Sequence, residues 1–277
     1  MQPWVADQMQ KELTRPNGMI LTTGPTGSGK TTTLYTFLQK IHSSTIKIIT
    51  IEDPIEYHLK GIEQTQVDTE KGYGFANGLR AIVRQDPDVI LVGEIRDLET
   101  AETAMHASLT GHLVFSTLHT NNAAGTIPRL IDLGVRTSII APAINVSMAQ
   151  RLIRKACATC RVPVSLTESE KEAWKKKLAE FPKTIPVPEE KSWTVFNANP
   201  KGCPQCNTLG YKGRSGIFEI ILIDSNIEKL ILQEPSEYEI MEEARRQSQI
   251  SMIQDGYLKV LAGITDMNEI ERVVGSE

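Results

Sequence analysis

An α/β fold with a doubly wound, largely parallel sheet is predicted for the first part of the chain. Four continuous apolar runs, rich in Ile, Val and Leu, are typical of strands that are buried on both faces. They lie at residues 19–23, 46–51, 89–92 and 113–118. Stretches with helical periodicity separate the runs, and strands that alternate with helices indicate βαβ units.

The helices of this part have their own signals. A polar, amphipathic helix is predicted over residues 1–18, where Pro16-Asn17-Gly18 is a turn signal. Gly111 follows the last connecting helix as a C-terminal stop. The connecting helices are predicted at residues 31–42, 75–85 and 98–109. We therefore expect an α/β core over residues 1–150.

The character of the sequence changes after Arg151. All four cysteines lie within residues 157–216, together with a Lys/Glu-rich helix near residues 168–180 and a Pro-rich stretch at residues 181–190. This composition differs from that of the core. We predict a tetracysteine lobe over residues 151–220 that returns to the core.

The end of the chain is predicted to be helical from Asp224 onward. Gly263 is expected to end one helix. Asp266 with Glu269 three residues later resembles a capping box for the last helix. These signals predict a small helical domain over residues 221–277.

Composition narrows the class of protein. The chain has 277 residues, with 30 Lys and Arg against 34 Asp and Glu, a formal charge of −4. A mildly acidic balance gives no electrostatic reason to expect nucleic-acid binding. No apolar run approaches the length of about 18 residues that a membrane span needs, and no signal peptide opens the sequence. We therefore expect a chain without membrane spans.

A phosphate-binding loop follows the first predicted strand. Residues 24–31 fit the pattern G-x-x-x-x-G-K-[ST] in full, with a strand before the loop and a helix after it. Glycines let backbone N–H groups converge on phosphate oxygens, and Lys30 and the Thr31 hydroxyl are expected to bind phosphate and Mg²⁺. The predicted nucleotide-binding residues are Gly24, Pro25, Thr26, Gly27, Ser28, Gly29, Lys30, Thr31 and Thr32. The pattern therefore indicates a nucleoside-triphosphate site.

Acidic residues close two of the other predicted strands. Glu52 follows the run at residues 46–51, and Glu94 follows the run at residues 89–92. Carboxyl ends of parallel strands meet at one edge of the sheet, so both acids should lie beside the loop. Hydrolysis needs a carboxylate to orient water and another to support the metal. Strand-end acids also act as helix caps, a role that suits Asp97.

His119 ends the fourth apolar run. It is positioned to sense the γ-phosphate or to link neighbouring sites through hydrogen bonds. A single histidine at a strand end is more often structural, and both interpretations stay open at this point.

The four cysteines form two Cys-x-x-Cys pairs. Cys157 with Cys160 and Cys203 with Cys206 are separated by 42 intervening residues. Four thiolates suit a closed, tetrahedral Zn²⁺ site. The spacer is longer than in most zinc motifs, and redox dithiols or free thiols are the alternatives.

In order, these motifs resemble the secretion ATPase family that drives type II secretion and type IV pilus assembly. The resemblance covers nearly the whole chain. Its motifs are the Walker A loop at residues 24–31, an "Asp box" at 49–57, a Walker B region at 79–97, a "His box" at 110–121, and family-like segments at 210–219 and 255–265.

The resemblance implies a RecA-like motor that forms a homo-hexameric ring and hydrolyses ATP between subunits. It implies that Glu94 activates or positions the attacking water and that Glu52 supports the metal–water network. It places His119, and less strongly His112, near the γ-phosphate. It further implies a platform protein of the inner membrane as partner and a cytoplasmic location, peripheral at that membrane.

The tetracysteine element, as the resemblance implies, favours zinc and an assembly or secretion protein over a retraction protein. Family members also carry an N-terminal domain that supplies arginines, whereas about twenty residues precede the loop here. We therefore expect the C-terminal ATPase portion of a longer protein, slow as a monomer. The alternative functions are a RecA-like ATPase that translocates nucleic acid and an ATP-binding scaffold without productive hydrolysis.

Overall fold

The computed structural model describes residues 1–275, which divide into two compact units. One unit consists of residues 2–149 and 220–244, and is called the core unit here. The other consists of Met1, residues 150–219 and residues 245–275, and is called the cysteine unit. The division into three domains predicted from the sequence stays a prediction. The two units described here follow from how densely the parts of the chain pack.

A seven-stranded sheet has the order β3-β2-β4-β5-β1-β6-β9. The pairings of β2 with β3 and β4, of β5 with β4 and β1, and of β1 with β6 are parallel. A separate antiparallel pair joins β7 to β8. The strands are β1 (Gly18–Thr23), β2 (Ile48–Glu52), β3 (Glu63–Gln66), β4 (Val89–Val92), β5 (Leu113–Leu118), β6 (Ile144–Ala156), β7 (Val162–Pro163), β8 (Phe196–Asn197) and β9 (Tyr211–Leu222).

Helices connect these strands and complete the cysteine unit. They are α1 (Pro3–Leu13), α2 (Lys30–Ile41), α3 (Phe75–Val83), α4 (Leu98–Leu109), α5 (Thr126–Asp132), α6 (Thr137–Ala143), α7 (Glu168–Ala179), α8 (Ser225–Ile231), α9 (Glu237–Arg246), α10 (Met252–Leu261) and α11 (Met267–Val274). None of the helices within residues 1–275 has both the length and the apolar character to cross a membrane.

The α/β class predicted from the apolar runs is confirmed. Every residue of β1, β2, β4 and β5 is buried, as continuous rather than alternating apolar runs require. The strand predicted at residues 46–51 ends one residue later, so Glu52 is itself a buried strand residue.

The first helix is shorter than predicted. It ends at Leu13, and Gly18 already begins β1. Gly18 has a φ of 114°, and an added Cβ would lie 2.2 Å from the Asn145 side chain. Only glycine fits this entry into the sheet, because positive φ and close approach coincide there.

In the cysteine unit the predicted C-terminus of α10 is confirmed, and the predicted N-terminal cap of α11 is confirmed in part. Gly263 lies just beyond α10 with a φ of 69°. Asp266 caps α11 by accepting from the backbone N–H of Glu269. The reciprocal half of the predicted capping box is wrong, because the Glu269 carboxylate instead binds the guanidinium groups of Arg154 and Arg272.

Candidate functional site

The phosphate-binding loop lies between the carboxyl end of β1 and the first residue of α2. Gly27 and Gly29 have φ values of 76° and 89°, a conformation that exposes successive backbone N–H groups. The Lys30 ammonium donates to the carbonyl oxygens of Gly24 at 2.7 Å and Pro25 at 3.2 Å. Burial lowers the pKa of Lys30, whereas the negative charge of Glu94 acts in the opposite direction. The charges of Lys30 and Glu94 therefore attract each other.

The other predicted loop residues differ in exposure. Ser28 is buried, Thr31 is half-buried and Thr32 is exposed, while Pro25 and Thr26 lie at the exposed tip. The loop thus has a buried base and an open rim, as a ligand that enters from solvent requires.

Thr23 fixes the start of this loop to the end of β5. Its hydroxyl lies 3.1 Å from the carbonyl oxygen of Leu118 and 2.7 Å from the Thr120 hydroxyl. The Thr120 backbone N–H also donates to it at 2.7 Å. The segment that carries His119 is therefore held against the phosphate loop.

Glu94 lies just beyond β4, and its carboxylate contacts the side chains of His119 and Arg96. Its Oε2 is 3.3 Å from His119 Nε2, and its Oε1 is 2.5 Å from a guanidinium nitrogen of Arg96. The Glu94 side chain is 12% exposed, whereas those of His119 and Arg96 are 49% and 67% exposed. The hydrogen bond and charge of Glu94 raise the pKa of Arg96. These three residues form one polar cluster at the rim of the sheet.

Gly93 brings the ends of β2 and β4 together. Its N–H donates to the Ile51 carbonyl at 2.8 Å, and its carbonyl accepts from the Thr117 hydroxyl at 2.8 Å. An added Cβ would lie 3.3 Å from Glu52 Cα. Glu94 and Glu52 therefore lie at the ends of adjacent strands, β4 and β2.

Glu52 differs from Glu94 in being 3% exposed and surrounded by donors. The Tyr35 hydroxyl donates to its Oε2. Its Oε1 accepts from the Thr50 hydroxyl at 2.5 Å and from Gln64 Nε2 at 3.2 Å. Burial, followed by the hydrogen bond to Glu52, raises the pKa of Tyr35, so that its hydroxyl keeps its proton.

Sequence reasoning missed Arg96, Tyr35 and Gln64. Tyr35 stands four residues after Thr31 on α2, so helical spacing offered a signal for it. Arg96 stands two residues after Glu94 in the segment between β4 and α4, and no spacing rule singles it out. Gln64 lies on β3, whose polar sequence gives no such signal.

His112 lies away from the phosphate loop of its own chain, and its expected place near the γ-phosphate stays a prediction. It precedes β5, at the edge opposite to the loop, and its carbonyl accepts from the N–H of Gly18 at the start of β1. Its Nδ1 lies 2.9 Å from the Ala107 carbonyl oxygen. Asp97, in contrast, caps α4 as predicted, since it accepts from the N–H of Thr100 at 2.8 Å.

The four cysteines lie together in the cysteine unit. Their sulfur atoms are all within 4.8 Å of one another. Cys157 and Cys203, Cys160 and Cys206, and Cys203 and Cys206 are each separated by 3.8 Å, well beyond the disulfide distance of about 2.05 Å. Four sulfur atoms at these distances can serve as ligands of one metal ion.

The surroundings favour the thiolate at Cys206 but not at Cys160, where burial and then the hydrogen bonds to the neighbouring sulfur atoms raise the pKa to about 12. Burial acts to raise the pKa of the Cys206 thiol, but the N–H groups of Cys203 and Gly210, 3.2 and 3.3 Å from its sulfur, lower it to about 6. Thiolate is the form of cysteine that binds metal.

Comparison with known proteins agrees with these features. Residues 1–272 match the family described as type II/IV secretion system protein. The type II secretion system ATPase E of Vibrio cholerae is 48% identical over 267 residues, which cover 96% of this chain and 50% of that protein. The type IV pilus assembly ATPase PilB of Pseudomonas aeruginosa is 44% identical over 276 residues, which cover 96% and 46%.

Among solved structures, the pilus retraction motor PilT with bound ADP superimposes with a TM-score of 0.67 at 30% identity. The match covers 96% of this chain and 64% of that one. The chain spans about half the length of the curated relatives that it matches.

Proposed function

The chain belongs to the type II/IV secretion system protein family, and from that premise we propose that it is the ATP-hydrolysing part of a motor subunit. The motor would power assembly of a type IV pilus or of a type II secretion pseudopilus. The observation that carries the proposal is the convergence of Lys30, Glu94 and His119 at the carboxyl ends of β1, β4 and β5, three neighbouring strands. That edge of a parallel sheet is where nucleotides bind.

In the proposed site, the phosphate loop and the N-terminus of α2 receive the triphosphate of ATP. Lys30 exchanges the carbonyl oxygens of Gly24 and Pro25 for phosphate oxygens, and its charge compensates that of the transferring phosphoryl group. Thr31 supplies a hydroxyl ligand for Mg²⁺, which when bound neutralises phosphate charge.

Glu94 is the residue that we assign to the attacking water. An ionised carboxylate accepts hydrogen bonds only, so Glu94 orients a water molecule and receives its proton. His119, whose Nε2 lies 3.3 Å from Glu94 Oε2, fixes the direction of this carboxylate near the γ-phosphate. Arg96 holds the other carboxylate oxygen, and Glu52 supports the network from the adjacent strand.

The assembly is also a proposal: a homo-hexameric ring, cytoplasmic and peripheral at the inner membrane, in contact with a platform protein of that membrane. The names of the relatives connect them with type II secretion and with pilus assembly. Mass measurement by light scattering with a slowly hydrolysed ATP analogue tests the ring. A mass that stays monomeric at every protein concentration would contradict it.

The cysteine cluster is proposed to bind one structural Zn²⁺. A tetrahedral site with Zn–S bonds of about 2.3 Å has edges of about 3.8 Å, which is the separation of three sulfur pairs here. Four thiolates fill the coordination sphere, so the site would stabilise the fold. Metal analysis of the purified protein should find about one zinc per chain, and C203S should lose it. Protein without zinc would refute the assignment.

Phosphate release from Mg-ATP tests the central proposal. E94Q should lower kcat about a hundredfold or more while ATP still binds, because the amide keeps the shape of glutamate but accepts no proton. E99Q, at an exposed position of α4, is the matched control and should hydrolyse like the unaltered chain. Hydrolysis by E94Q at the unaltered rate would refute the role, and stimulation by single-stranded DNA would favour a nucleic-acid motor.

A further inference from the structure

The buried hydroxyl of Tyr35 donates a hydrogen bond to Glu52, a residue of the proposed site. Tyr35 is fully buried on α2, four residues after Thr31. Residues with that spacing lie on the same face of a helix. One face of α2 therefore carries both the proposed magnesium ligand and the group that binds Glu52.

The donors around Glu52 come from three different elements. Tyr35 on α2 binds Oε2, while Thr50 on β2 and Gln64 on β3 bind Oε1. An ionised carboxylate can only accept, so these donors match it and leave it one orientation.

The amide of Gln64 is itself fixed. Its Oε1 accepts from the backbone N–H of Leu59 at 2.6 Å, so its NH₂ group must face Glu52 and the Tyr35 hydroxyl. The ring of Tyr57 packs edge-on against that of Tyr35, with 4.7 Å between ring centres. This contact and the complete burial of Tyr35 hold the phenol against the carboxylate.

From this geometry we propose that Tyr35, assisted by Gln64, is a positioning residue for Glu52. Its hydroxyl links α2, the helix that follows the phosphate loop, to the Glu52 carboxylate at the end of β2. The link keeps α2 and this carboxylate in a fixed relative position during hydrolysis. The inference rests on the proposed function, in which Glu52 supports the metal and water.

A double-mutant cycle in ATP hydrolysis tests it. Y35F removes the hydroxyl and keeps the ring, and should lower kcat about ten- to a hundredfold with KM for Mg-ATP within about twofold. In an E52Q background, Y35F should cause little further loss, because the residue through which it acts is already altered. Single-turnover hydrolysis with excess enzyme keeps slow variants measurable.

Y211F is the matched control, because Tyr211 also donates its hydroxyl to a carboxylate, that of Asp266 in the cysteine unit, at 2.9 Å. It should hydrolyse ATP at the unaltered rate. Equal losses from Y35F with and without E52Q would overturn the inference, because Tyr35 would then act only through packing. An unaltered kcat for Y35F would also overturn it. If E94Q is inactive in the same assay, such a result leaves the proposed function standing; if E94Q is fully active, the proposed function itself fails.

Discussion

The Glu269 carboxylate should be a main electrostatic support of the cysteine unit, and E269Q tests this. Its side chain is 0% exposed and receives five hydrogen bonds, from the backbone and guanidinium group of Arg154 and from the guanidinium group of Arg272. Burial alone would raise its pKa, but the hydrogen bonds of Arg272 and Arg154 lower it to about 2. The folded state thus favours the ionised form.

The magnitude follows from this pKa. Relative to a usual value of 4.5, a pKa of about 2 corresponds to roughly 3 kcal/mol of stability at neutral pH. The guanidinium groups of Arg154 and Arg272 are 44% and 54% exposed, so solvent screening reduces the expected contribution to about 2 kcal/mol. Because the folded pKa is the lower one, this stability is complete above pH 4.5 and is lost as the pH falls towards 2.

Urea unfolding, followed through the cysteine unit, measures the effect. E269Q should lower the transition midpoint at pH 7, and the difference from the unaltered protein should shrink as the pH falls from 4.5. E168Q is the matched control, since Glu168 forms an exposed ion pair with Lys171 on α7 and its loss should leave the midpoint unchanged. Equal midpoints at pH 7, or a difference that persists unaltered at pH 3, would refute the reasoning.

Three further substitutions probe other parts of the chain. D97A should destabilise the core unit by about 1 kcal/mol in urea unfolding because α4 loses its N-cap, and no change would contradict that role. D255N should lower the free energy of unfolding by about 3–5 kcal/mol, because it leaves the Lys259 ammonium buried without the carboxylate that lies 2.6 Å away. Thermal unfolding measures this loss, and a loss no larger than that of an exposed ion pair would argue against it. G93A should lower kcat about tenfold with nucleotide affinity retained, because the new Cβ lies 3.3 Å from Glu52 Cα and displaces the ends of β2 and β4. A loss of nucleotide affinity with kcat unchanged would contradict this reasoning.

Much of the candidate site was predictable because its signals are local. The phosphate loop and its helix occupy one short segment, and the acids at strand ends follow directly from the apolar runs that define those strands. The position of His112 was not predictable in this way: it belongs to the same motif as His119 but precedes β5, whereas His119 follows that strand. The six residues of β5 therefore place the two histidines at opposite ends of one strand.

By itself, the sequence determined the α/β class, the position of the phosphate loop and the pairing of cysteines into two Cys-x-x-Cys elements, because periodicity and backbone conformation depend on neighbouring residues. Only the tertiary structure decided which distant groups meet. It gave Glu52 the hydroxyl of Tyr35 and the amide of Gln64, turned Glu269 from a cap into an ion-pair centre, and brought sulfur atoms 46 positions apart to 3.8 Å. Such contacts depend on strand order and register, which fix where remote segments lie in space and are not encoded in any local pattern.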